Sequence, residues 1–131
     1  MKTTLWRKAP ASAAMLLWGL LLATQAQALQ IVSFSPQGEV ARVRQVVAKF
    51  DTAAVNFGDP KAPAPMGLSC SDADATKGTG RWTGEREWVF DFERDLPPGV
   101  RCTATVRPGF KSASGAELTG AKSYQFNSGG P

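Results

Sequence analysis

The 131-residue chain contains no histidine, only two cysteines and a single tyrosine. Histidine is the commonest general base at neutral pH and the commonest transition-metal ligand. Its absence excludes serine–histidine and cysteine–histidine nucleophile pairs. Methionine is scarce as well: Met1, Met15 and Met66 are the whole supply, too few for a methionine-clustered copper site. The two cysteines, Cys70 and Cys102, do not have the Cys-x-x-Cys spacing of a redox pair. A clustered excess of one charge is missing too. The chain carries 15 basic and 11 acidic residues, but Lys2, Arg7 and Lys8 fall in an N-terminal leader. Beyond residue 28 there remain 12 basic and 11 acidic residues, interspersed. A nucleic-acid binder needs a basic face, and none is legible here.

There is one long apolar run, ASAAMLLWGLLLA at 11–23. It is shorter than the span of about 20 residues that a transmembrane helix needs. It follows a positive stretch and precedes Ala26-Gln27-Ala28, a small-x-small pattern. Residues 1–28 therefore read as a cleavable secretory signal peptide cut after Ala28. No cysteine follows the run, so a lipoprotein anchor is not indicated. The expected location is periplasmic or secreted, with contact to a membrane only through the leader before cleavage. Secretion places both thiols in an oxidising compartment, and a Cys70–Cys102 disulfide is the expectation. A mature chain of 103 residues suits one small domain, whose modest core gains from such a staple.

The most informative stretch is 81–110, RWTGEREWVFDFERDLPPGVRCTATVRPGF. Side chains alternate faces along a strand. Trp88, Phe90 and Phe92 thus point one way, with Val89, Asp91 and Glu93 on the wet side. Cys102, Ala104 and Val106 likewise oppose Arg101, Thr103, Thr105 and Arg107. Further strands are expected at 30–34, 43–51, 66–70, 80–83 and 121–127, the last with Tyr124 and Phe126 inward. An amphipathic helix is the rival for 40–50; β-branched residues and nearby Pro-Gly punctuation favour the strand. The segment 52–65 holds Pro60, Pro63 and Pro65 and cannot join a ladder, so it should cross between sheets. About seven short strands predict an all-β, immunoglobulin-like antiparallel sandwich over 29–127, with 128–131 as an exit tail. Trp88 is expected to be a core ring beside the bridge.

Four segments together resemble the N-terminal immunoglobulin-like domain of bacterial alpha-2-macroglobulin-family proteins. They are FSPQGEV at 34–40, VRQVVAKFDTAAVNFGDPKAPAP at 43–65, EWVFDFERDLPPGVRCTATVRPG at 87–109, and the ending FNSGGP at 126–131. The resemblance implies a non-catalytic scaffold or interaction domain of a protease trap. Its partners would be other domains of a larger chain, or a protease. The family's thioester motif, Cys-x-Glu-Gln, is not matched at Cys70 or Cys102. The chain would then be a fragment or a truncated copy; the alternative is a free-standing periplasmic protein-binding or adhesion module.

No residue is assigned to catalysis, to a cofactor or to a metal. Asp72 and Asp74 supply too few oxygens for Ca²⁺, which takes six to eight. Asp91 and Glu93 could form a carboxylate pair. Arg94, Arg101 and Arg107 nearby make surface ion pairing the expectation instead. Trp82, flanked by Arg81 and Thr83, is the single candidate contact residue.

Overall fold

The structure is a computed structural model that describes residues 28–130. The leader through residue 27, including Ala26 of the proposed cleavage pattern, lies outside the described residues, as does Pro131.

Among the described residues ten strands run in chain order: β1 (Ala28–Leu29), β2 (Ile31–Ser35), β3 (Gly38–Glu39), β4 (Gln45–Phe50), β5 (Met66–Cys70), β6 (Gly78–Trp82), β7 (Glu87–Phe92), β8 (Arg101–Val106), β9 (Glu117–Leu118) and β10 (Ser123–Asn127). Seven have five or six residues and three have two. One short 3-10 turn, Asp74–Thr76, precedes β6. One sheet has the order β2-β4-β7-β6 and is antiparallel throughout. The second has the order β3-β10-β8-β5, with only β3 parallel to its neighbour. β1 and β9 form a separate parallel pair. The fold is the expected all-β immunoglobulin-like sandwich.

The long strands form where β-branched and aromatic residues alternate with polar ones. β4 has the burial pattern of a strand with one wet face: Val46, Ala48 and Phe50 are buried, Gln45 and Lys49 exposed. Phe34, Trp88, Phe92, Met66, Ala104 and Phe126 complete the contact between the sheets. The chain leaves β2 through the cis Ser35–Pro36 peptide and joins the other sheet as β3. The proline-rich segment 51–65 carries it from β4 to β5 and so changes sheets, as its prolines require.

Two expectations, the wet side for Val89 and the place of Trp88 beside the bridge, are corrected by the register, while the expected disulfide is present. Val89, assigned to the wet side, is 3% exposed. It stands opposite Val47 on one flank and Arg81 on the other, so two neighbours cover it. The Cys70–Cys102 disulfide is formed, and its residues lie directly opposite each other in adjacent strands of the same sheet. Trp88 is a core ring at 2% exposure, but it does not belong to the bridge. Phe126 is the cross-strand neighbour of Cys102, and it meets Phe92, at the far end of β7 from Trp88.

Two glycines of β6 explain how the large rings fit. A Cβ at Gly80 would lie 2.5 Å from the Trp88 ring, and one at Gly78 would press on the Phe90 ring and the Asp91 carbonyl. Gly80→Ala is therefore expected to destabilise the domain by about 1–3 kcal/mol, as overpacking does. Gly84, with nothing within 4 Å of its added Cβ, is the control and should stay within about 0.5 kcal/mol. Denaturant midpoints of the two variants decide this; equal midpoints would show that the ring does not rest on β6.

β1 puts Ala28 opposite Glu117 and buries Leu29 completely, with the Leu29 carbonyl accepting from the Thr119 amide at 2.8 Å. The Ala28–Leu29 bond is thus part of the folded ladder.

Candidate functional site

The outer face of the first sheet carries an ordered row of polar side chains. Asp91 on β7 accepts from Gln45 Nε2 on β4 and from Arg81 Nε on β6, each at 2.9 Å. One step along, Lys49 lies 3.9 Å from Glu87, which also accepts from the Thr83 hydroxyl at 2.9 Å. The expected partners of Asp91, namely Arg94, Arg101 and Arg107, are replaced by groups that the strand register brings alongside. Glu93 makes no ion pair among the described residues; its amide donates to the Lys77 carbonyl. The two carboxylates therefore do not converge on a shared cleft.

The bonds from Gln45 and Arg81 hold the Asp91 carboxyl below the ordinary aspartate value of 3.8. A depressed folded pKa gives stability that is present above the unfolded pKa and lost as pH falls through the folded value. Asp91→Asn should therefore cost up to about 1 kcal/mol near neutrality, since the side chain is 39% exposed and solvent screens its pairs. That gap should close below about pH 3–4. Denaturation of both proteins across that range checks it; a gap independent of pH would remove the electrostatic explanation.

Asp72 and Asp74 serve the 3-10 turn. Asp72 Oδ1 accepts from the Asp74 amide at 3.0 Å, and Asp74 lies 3.5 Å from Lys77 Nζ. Among the described residues no group of three His, Cys, Asp or Glu could hold a metal ion. Both cysteines are in the bridge.

Trp82 lies at a groove of about 350 Å³ between β6 and the 51–65 crossover. Its indole nitrogen donates to the Pro63 carbonyl at 3.0 Å, and its ring is tilted against Phe50 at 5.6 Å. The hydrogen bond fixes the ring while one side stays open to the groove. Across the groove stands Phe57, 61% exposed, with Asn56 and Asp59 beside it. Sequence reasoning missed Phe57, because an aromatic residue in a Pro/Gly-punctuated crossover has no alternating neighbours to reveal its face. Its one signal was an apolar ring where the composition demands a solvated loop. Among the described residues Val32 is the other large exposed hydrophobic residue, at a register shift in β2.

The groove and the sandwich define an immunoglobulin-like module with a surface cleft. No family model matches the chain, and no curated protein matches it. Solved structures do. One is described as "LD transpeptidase LdtMt1 in complex with imipenem": TM-score 0.53, 18% identity, covering 79% of this chain and 41% of that one. A second is an L,D-transpeptidase from Mycobacterium tuberculosis H37Rv: TM-score 0.50, 18% identity, covering 76% and 40%. The chain thus spans about two-fifths of the length of either protein, and the likeness is one of fold.

These neighbours overturn the macroglobulin resemblance, and with it the protease-trap scaffold role. The physical reason lies in the quoted segments. An alternating strand, a proline crossover between sheets, a second strand pair and a polar exit are what any immunoglobulin-like sandwich of this size requires. They reported the fold, which both groups share, and carried no family information.

Proposed function

We propose that this chain is a non-catalytic, extracytoplasmic binding module that holds a protein partner at the Trp82–Phe57 groove. The observation that carries the reading is the exposure of Phe57 beside a hydrogen-bonded Trp82 on a disulfide-stapled scaffold. Exposed aromatic side chains on rigid frames are characteristic binding anchors. The bridge suits an oxidising, periplasmic or secreted location. Among the described residues no helix is long and apolar enough to cross a membrane.

A non-enzymatic role accords with the chemistry. The sequence has no histidine, and both thiols are consumed in the bridge, which removes serine–histidine and cysteine–histidine nucleophile pairs. The fold likeness to L,D-transpeptidases supports a module of the sort found within larger extracytoplasmic proteins; it supplies no reacting group.

The test is Phe57→Ser in the full secreted protein, with photo-crosslinking from a probe placed beside the groove. Partner capture should fall about 30-fold, the loss expected for one anchoring aromatic, with no change in thermal melting. Unchanged capture would rule the groove out. Turnover of any acyl or glycosyl substrate, abolished by Asp91→Asn or Glu93→Gln, would overturn the non-catalytic assignment.

A further inference from the structure

β6 is one of the two edge strands of its sheet, and its pairing fixes which backbone groups are free. The Thr83 amide donates to the Glu87 carbonyl, and the Glu93 amide donates to the Lys77 carbonyl, both at 2.9 Å. In an antiparallel ladder, residues bonded to the partner alternate with residues that face away. Lys77, Thr79, Arg81 and Thr83 therefore face β7. Gly80 and Trp82 direct their N–H and C=O groups outward, into the groove. Among the described residues none of those four groups has a partner. The crossover's hydrogen bond to the edge strand is made by the Trp82 side chain, which leaves the β6 backbone groups out of it.

The outer-face row adds a charge rule. Arg81 uses Nε on Asp91, while its side chain stays 56% exposed at the sheet edge. A guanidinium has five donors, so most remain for a carboxylate placed on the next strand. A second copy of this chain suits the edge poorly. Antiparallel pairing of two β6 strands about Gly80 would bring both Arg81 side chains close together on one face, where like charges repel.

We propose that the free edge of β6 accepts an extended peptide strand with an acidic residue beside Arg81, flanked by apolar residues that turn inward onto Trp82 and Phe57. Backbone bonds to Gly80 and Trp82 supply the pairing, and alternate side chains supply the choice. This deepens the groove reading above and rests on it.

The probe is the capped peptide Thr-Val-Glu-Val-Thr, titrated into isotope-labelled secreted protein with the bridge intact. The Gly80 and Trp82 amide resonances should move on saturation. The same peptide with Lys in place of Glu should bind at least about tenfold more weakly, from lost charge complementarity. Arg81→Glu should invert that preference, and Arg81→Gln should abolish it. A peptide with both valine amides methylated should not bind, whichever protein variant is used. Silence at Gly80 and Trp82, or indifference to peptide charge, would overturn the proposal. So would a concentration-dependent dimer through this edge, seen by sedimentation without peptide. If the peptides fail while Phe57→Ser still weakens partner capture, strand addition is wrong and the groove reading stands. If the peptides obey the charge rule while Phe57→Ser leaves capture unchanged, the edge binds strands and the partner docks elsewhere.

Discussion

Trp88→Ala should lower the unfolding free energy of the domain by about 3–5 kcal/mol, the cost of removing a large buried aromatic. Trp88 is 2% exposed. Its cross-strand neighbours are Ala48 on one side and Trp82 on the other, and its ring lies over Gly80. Alanine and glycine have no side chains long enough to refill the vacated space, so the cavity stays open and the cost sits near the top of the range. Small domains have about 5–15 kcal/mol in hand, so this variant should melt on the order of 20 °C lower. A double variant sharpens the expectation. Gly80→Ala, destabilising in the native protein, should cost much less beside Trp88→Ala, because the ring it collides with is gone. Denaturant titrations of the four proteins measure that coupling, and simple additivity would show that Trp88 does not rest on β6.

Loss of the disulfide is the second large effect. Cys70 and Cys102 are 32 residues apart in sequence, and closing that loop stabilises by about 3–4 kcal/mol in the chain-entropy model. Cys70→Ala with Cys102→Ala should lower the denaturation midpoint accordingly. The location of the bridge shapes the outcome. It joins β5, an edge strand of its sheet, to β8, whose Cys102 and Ala104 are buried. Without it, the β5 amides should lose hydrogen-exchange protection before those of β8 and β10, since edge strands open first when few contacts hold them. Coincident melts with and without reductant would mean that paired strands alone hold β5 in place.

Some of this was legible in residues and some was not. The alternation Trp88–Phe92 and Cys102–Val106 revealed the strands because a half-buried sheet imposes a period of two on any sequence that forms it. The prolines at 60, 63 and 65 marked the crossover, because a residue without an amide donor cannot continue a ladder. Val89 was misjudged for a related reason: alternation reports which face a side chain takes and says nothing of what covers that face. The two-residue strands β1, β3 and β9 carry no local pattern. Each exists only because a distant segment lies beside it. The partners of Asp91 are likewise a matter of register, set by 46 residues of separation to Gln45 and 10 to Arg81.

Trp82 was visible as an aromatic between polar flanks, while Phe57 was hidden in the crossover that completes the groove. By itself, then, the sequence determined an all-β sandwich with one pair of cysteines and no histidine chemistry, because strand period, proline and residue type act locally. Only the tertiary structure decided that the bridge lies within one sheet, that β6 is a free edge, and that Phe57 and Trp82 share a groove. Those facts depend on which distant strands meet and in what register, and register is fixed by the packing of the whole core.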